Sequence, residues 1–333
     1  MRYLSIPLIC ASFASPLHAD ELTQSIVDTQ ILPAFDALAQ HTQTLAQSTA
    51  DSCLTAPAEM EEAFATSFDA WVTASIWRFG PSETDSRAFS LAFWPDNRGK
   101  IGKAVRTFLS PEDREVLPPE VFAQQSIAGK GFYALEFLMF DADAKDLGSA
   151  AYRCDLAQAM TTDIASTAQA IQADWTGDFR HMMQAPSERY QSNAEVRQEL
   201  FKALTTGLQI VDDLRLGRPL GTFDKPRPRR AEAWRSDRSL RHVVLSLQAL
   251  EPLALALAQD APALQAELAQ DFTHATERAT ALDDPRFSGV ADPGTRFRIE
   301  AVKQEVVDLR ALVAAELGPL LGVAAGFNSL DGD

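Results

Sequence analysis

The sequence predicts an all-α protein built as two packed antiparallel four-helix bundles. Three observations predict it. Apolar residues recur at three- and four-residue spacing along most of the chain, and alternating strand patterns are scarce. Pro and Gly fall between segments of helix length. Hydrophobic residues make up 46% of the 333, enough to core one or two domains. About eight substantial helices are legible, which fits two bundles of four.

Residues 1–19 read as a secretory signal peptide, with Arg2 as the positive start, an apolar stretch from Leu4 to Ala14 and cleavage near Ala19. Cys10 lacks the small preceding residue of a lipoprotein signal, since Ile9 stands there. No other uncharged apolar run reaches the ~20 residues that span a bilayer, so the mature chain is expected to have no transmembrane segment. From Asp20 to Ser52 a helix forms around Ile26, Leu32, Leu38 and Leu45, and Pro33 should kink or divide it. Pro57 opens the next helix, with Phe64, Phe68 and Trp71 on one face, which ends near Gly80-Pro81. A turn at Phe93–Gly99 leads to a shorter helix through Val105 and Phe108, and Pro118-Pro119 stops another. The polar, Gly-containing connection Ala142–Ala150 divides the chain into an N-terminal bundle (20–145) and a C-terminal bundle (146–333). Long helices follow through Leu156–Met182, Val196–Leu214, Leu240–Leu250, Leu264–Ala279 and Val302–Leu317. Gly217 to Arg235 is a long irregular segment, and Pro252 should kink its helix.

The formal charge is −16, and −17 once Arg2 is lost with the signal. That acidity argues against nucleic acid and anionic membrane surfaces as partners and permits cations, metal ions among them. Two cysteines remain, Cys53 and Cys154. In an oxidising compartment an even count favours one disulfide between them; two free buried thiols or an intermolecular bridge are the alternatives.

The stretch with the most chemistry is Ala128–Asp143. Tyr133 and Glu136, three apart, are neighbours on one face of a strongly apolar helix. A carboxylate there is expected to be buried, and so paired, ligated or protonated. The plainer alternative is a core helix with one satisfied polar pair. Gly131-Phe132-Tyr133-Ala134-Leu135-Glu136 resembles the Gly-x-His-x-x-Glu motif of the imelysin (M75 peptidase) family, with Tyr133 in place of the His. Further segments resemble the family in the same order: Val27–Phe35 with Cys53, Arg78–Pro81, Phe93–Asp96, Trp234–Leu240, and Leu317-Gly318 with Gly326–Asp333.

The resemblance implies an exported, two-bundle helical protein of the periplasm or cell envelope, with the motif in a cleft between the bundles. It also implies a link to metallopeptidase activity or to iron uptake. A neutral phenol is a poor zinc ligand, although phenolate suits ferric iron. The mature chain has four histidines, His41, His181, His242 and His274, and no His-Glu-x-x-His spacing. His242 is the best-placed further ligand; an exposed or capping His is the commoner use of such a residue. Between Arg215 and Arg241 lie nine Arg and Lys against three acids, Asp224, Glu232 and Asp237. Guanidinium forks suit carboxylates and phosphates. Lys225 to Arg230 reads first as an exposed loop paired with acidic helices. Arg235, Ser236 and Arg238 are the stronger ligand candidates, because they lie in the family-like segment beside Trp234.

Three functions compete. One is a non-catalytic periplasmic binding component tied to iron or metal uptake, holding iron, another divalent or trivalent metal, or a small anionic ligand in the cleft. The second is an M75-type metallopeptidase using Glu136, against which the missing His argues. The third is a structural envelope protein. Glu136 is expected at the bundle interface, beside Tyr133 and held by Arg235 or Arg238.

Overall fold

The structure, a computed structural model, describes residues 17–323. The expected signal-peptide residues up to 16 and the family-like segment Gly326–Asp333 lie outside the described residues. Helix dominates, and among the described residues no strand forms beyond one isolated bridge, Thr222 to Lys225.

Helix α1 (Leu17–Ile26) runs through a widened turn (Val27–Ile31) into α2 (Leu32–Ser52). Pro33 causes the widening. It has no N–H, and its ring crowds the carbonyl four residues back. The Leu32 N–H instead reaches Val27 O, so the helix widens rather than divides. Along α2 a stripe of Phe35, Leu38, Thr42, Leu45, Thr49 and Ser52 is buried. Its two threonines are satisfied within the helix, because their hydroxyls donate to Leu38 O and Leu45 O at 2.8 Å each.

Helix α3 (Pro57–Ala74) starts at its proline and packs Met60, Phe64, Phe68 and Trp71 into the core beside α2. Asp96 caps α4 (Lys100–Leu109) by accepting the N–H groups of Lys100 and Ile101 at 2.9 Å. Then come α5 (Gly131–Phe140) and α6 (Ala150–Asp174), the latter capped by Ser149. Helices α2, α3, α5 and α6 make one bundle.

The second bundle is α7 (Asn193–Gln209), α8 (Ser239–Leu257), α9 (Pro262–Thr280) and α10 (Pro293–Leu312), packed in a closed ring. Buried Asp212, just beyond α7, takes Lys303 and Arg310 of α10 as counter-ions. Helix α8 carries Pro252 in its interior without a break. By length and composition α8 could cross a membrane, but 56% of its apolar window is buried, as befits a core helix.

One expectation is corrected. The connection at 142–149 does not separate the bundles, because α6, which follows it, packs back on α2 and α5. The packing changes partners only after α6, ahead of α7. The polar connection turns the chain within a bundle, and composition cannot tell such a turn from a domain boundary. The disulfide Cys53–Cys154, with Cα atoms 5.9 Å apart, joins the end of α2 to α6 and so lies inside the first bundle.

Candidate functional site

Helix α5 begins at Gly131, whose φ is +74°; a Cβ there would lie 2.3 Å from Ser90 O and 2.4 Å from Leu91 O. Only glycine tolerates both the conformation and the approach. Every residue from Gly131 to Leu138 is buried, so the helix is core on all sides. Phe132 stacks on Phe68 of α3 at 4.8 Å, and Phe68 in turn meets Tyr133 (5.2 Å) and His242 (4.6 Å) edge to face. The bundles meet here, through α3 and α8.

The Tyr133 hydroxyl donates to Glu232 Oε1 in a short hydrogen bond. Glu232 Oε2 accepts from Arg215 Nε at 2.6 Å and lies 3.0 Å from His242 Nδ1. Arg215 Nη1 donates to Ser246 Oγ at 2.6 Å, and Ser246 Oγ donates to His242 O at 2.6 Å. Burial alone would raise the Glu232 pKa, but the Arg215 guanidinium and His242 hold it well below the usual carboxylate range. Burial lowers His242, which is therefore neutral and donates from Nδ1 to the carboxylate. Its Nε2 is buried with no hydrogen-bond partner among the described residues. Burial, reinforced by the Glu232 charge, pushes Tyr133 well above 10, so the phenol keeps its proton.

Glu136 belongs to a separate set. Its Oε1 accepts the backbone N–H of Arg235 (3.1 Å) and of Ser236 (3.0 Å) and the Ser236 hydroxyl (2.8 Å). Burial raises its pKa, and the Ser236 hydrogen bonds and the Arg235 charge offset part of the rise. The expected guanidinium partner is thus corrected to a backbone one. The turn around Arg235, with Ala233 and Asp237 at positive φ, aims its N–H groups at the carboxylate. The Arg235 side chain instead donates to Asp141 (2.5 Å) and lies over Trp234 and Phe137. Arg238 pairs with Asp69 of α3, which it shares with Arg241.

The structure therefore divides the sequence candidates. Tyr133 and His242 meet on Glu232; Glu136, Ser236 and the Arg235 backbone meet on each other; Arg238 stands apart. Sequence reasoning missed Glu232 and Arg215 as site residues. One signal was present: Glu232 is an acid flanked by Ala231 and Ala233 within a basic segment, which is how a buried counter-ion is written.

Two cavities share Tyr133 and Trp94 as walls. One, of about 580 Å³, is bounded by Arg78, Lys202, Arg215 and Glu232. The other, of about 680 Å³, is bounded by Glu136, Trp234 and several arginines. Burial and the neighbouring Arg215 charge lower the Arg78 pKa, and no carboxylate lies within ion-pair distance of it among the described residues. Among the described residues no group of three or more His, Cys, Asp or Glu is arranged to hold a metal. Arg78, a cation with no ion-pair partner among the described residues, suits the first cavity to an anion.

A profile of the imelysin family (peptidase M75) matches residues 31–313. No curated protein matches the chain. Among solved structures, an imelysin-like protein from Psychrobacter arcticum 273-4 is 17% identical with a TM-score of 0.80, covering 96% of this chain and 100% of that one. A protein from Parabacteroides distasonis ATCC 8503, described as an iron-regulated protein A precursor, is 14% identical with a TM-score of 0.71, covering 93% of this chain and 96% of that one. At these identities the two structures share the fold, while the profile covers most of the sequence: the chain belongs to the imelysin family.

Proposed function

We propose that this is an exported, non-catalytic binding component of the periplasm or cell envelope that serves iron or metal uptake. Its ligand sits in the cleft between the two bundles, where Tyr133 divides one cavity from the other. The signal peptide read at residues 1–19 supplies export. The iron-regulated description of the P. distasonis protein supports the metal context. The observation that carries the reading is the pair of cavities meeting at Tyr133, with polar side chains held in fixed directions at their walls. Polar groups fixed in direction at an inter-bundle cavity suit selective binding. The metallopeptidase reading fits less well: Tyr133 stands where the motif has its His, and burial beside Glu232 keeps the phenol protonated and so a poor zinc ligand.

The test is native mass spectrometry with metal analysis of protein isolated from the periplasm of iron-limited cells. The expected result is a bound small molecule or metal, displaced in Tyr133→Trp, which fills the shared wall. An empty protein, together with zinc-dependent peptide cleavage lost in Glu136→Gln, would replace the binding reading with the enzymatic one.

A further inference from the structure

The cavity beside Glu136 holds more positive charge than its own carboxylates answer. Six arginines border it: Arg106, Arg218, Arg229, Arg230, Arg235 and Arg286. Three have counter-ions. Arg106 pairs with Asp143 at 2.5 Å, Arg235 with Asp141 at 2.5 Å, and Arg286 with Asp237. Two further acids of the wall are engaged elsewhere, Glu136 by backbone N–H groups and Asp96 as the cap of α4. Arg218, Arg229 and Arg230 have no carboxylate within ion-pair distance among the described residues.

Their surroundings are those of a recognition site. Arg218 lies over the Trp94 ring at 5.6 Å and donates from Nη2 to Asn97 Oδ1 at 2.8 Å, while its Nε is buried without a partner among the described residues. Arg229 lies over the Trp234 ring at 5.7 Å. Arg218 also feels Arg230: burial first, and then that like charge, lower its pKa. An anion between them would relieve the repulsion. Asp96 is the carboxylate that Arg218 feels, and it offsets part of that lowering, but it caps α4 and makes no ion pair with the arginine. The sequence reading preferred Arg235 and Arg238 as anion ligands and gave Arg229 and Arg230 to an exposed, paired loop. The ion pairs run the other way.

We propose that Arg218, Arg229 and Arg230, framed by Trp94 and Trp234, bind a small polycarboxylate of the kind that chelates ferric iron. The proposal rests on the binding-protein reading and names the ligand class for the second cavity. Guanidinium forks fit carboxylate and phosphate alike. Separated guanidiniums on two chain segments suit separated carboxylates, and the two indoles favour a ligand with a carbon skeleton over inorganic phosphate. Recognition is of the carboxylates, so the free acid and its ferric complex both bind.

Calorimetry on the full mature chain tests this with citrate, ferric citrate and inorganic phosphate as probes. Citrate should bind the wild type and bind R229Q/R230Q about tenfold or more weakly, since two charge-assisted contacts are lost. The control K225Q/R227Q removes two nearby positive charges outside the cavity wall and should bind citrate as the wild type does. Melting temperatures should be unchanged in both, because the substituted residues are exposed. No citrate binding by the wild type, equal binding of citrate and phosphate, or an equal loss in the control would each overturn the proposal. If R229Q/R230Q still carries a ligand acquired in the periplasm, the polycarboxylate site fails while the binding-protein reading stands. If citrate binds as expected but periplasmic protein carries nothing, the broader reading fails instead.

Discussion

Glu136 and Glu232 are both about as buried as a carboxylate can be, at 2% and 3% exposure, and each borders a cavity that Tyr133 walls. Their charge states are driven in opposite directions. Glu232 is gripped by a guanidinium, an imidazole and a phenol, and its pKa falls far below the usual range. Glu136 is met by two backbone N–H groups and a hydroxyl, all neutral, while the Arg235 guanidinium, turned to Asp141, only partly offsets burial, so its pKa rises. Burial by itself does not settle whether a carboxylate stays ionised; the charge of its partners does. Glu232 is consequently a fixed anion that orients Tyr133, Arg215 and His242. Glu136 is the adjustable one, and it faces the arginine-rich cavity.

The largest effect should come from breaking the fixed anion. Glu232→Ala strips Arg215 of its counter-ion and Tyr133 of its acceptor in a buried place, at a cost of about 3–5 kcal/mol in urea unfolding. The double replacement Glu232→Leu with Arg215→Met should cost less than either single change, because it removes both charges together. Additive costs would mean that the pair is not coupled, and the contrast with Glu136 would lose its basis. The sign with pH follows from the depressed pKa. Between the folded and unfolded values the unfolded chain binds more protons, so stability rises with pH. The Glu232 contribution is complete above the ordinary value of 4.5 and is lost as pH falls below it.

Next in size is the disulfide, which serves as a control on the comparison. Cys53 and Cys154 are 101 residues apart, so replacing both with Ser should cost up to about 4.7 kcal/mol in the chain-entropy picture, and usually about 2–4. The loss should be equal in wild-type and Glu136→Gln backgrounds, since the bridge ties α2 to α6 and touches neither carboxylate. Unequal losses would show that the first bundle transmits strain to the site.

Tyr133→Phe should cost about 1.5–3 kcal/mol, the value of a hydrogen bond to a charged acceptor, while its ring contacts with Phe68 and Trp94 survive. The Glu232 carboxylate, short of one donor, should then titrate at higher pH. No change in stability would mean that Arg215 and His242 alone satisfy it.

Much of the fold could be read directly, because helical periodicity in Phe64, Phe68 and Trp71, or in Leu156, Met160 and Ile164, encodes burial on one face. The division between bundles could not. Which bundle α6 joins depends on long-range packing, and its apolar stripe is equally compatible with either. The site was half legible. Tyr133 and Glu136 stood out as polar residues on an apolar helix, and the pairing segment around Ser236 was found. The partner atoms were not, because a backbone N–H carries no sequence signature, whereas a nearby arginine attracts every electrostatic argument. Glu232 was hidden for the opposite reason: in a segment counted for its positive charge, one acid reads as background.

The smallest expected change is Glu136→Gln, and its sign is its value. The glutamine carbonyl can accept the same two N–H groups and the Ser236 hydroxyl, so the geometry is kept and only the charge goes. Above the folded pKa the loss of charge-assisted bonds and the relief from burying a charge oppose each other, and the net should be within about 1 kcal/mol. Because the folded pKa of Glu136 lies above 4.5, between the two values the unfolded chain binds fewer protons, and wild-type stability falls as pH rises. Its favourable contribution is complete below 4.5 and gone above the folded value. The wild type should therefore gain on Glu136→Gln as pH is lowered through that window, read as the difference in urea midpoints at matched pH. Glu232 is common to both proteins and cancels. Ser236→Ala should widen the pH dependence of this difference, because it removes a donor that holds the Glu136 pKa down. A difference that is flat with pH, or that slopes the other way, would place Glu136 with Glu232 as a second fixed anion and erase the distinction between the two sides of Tyr133.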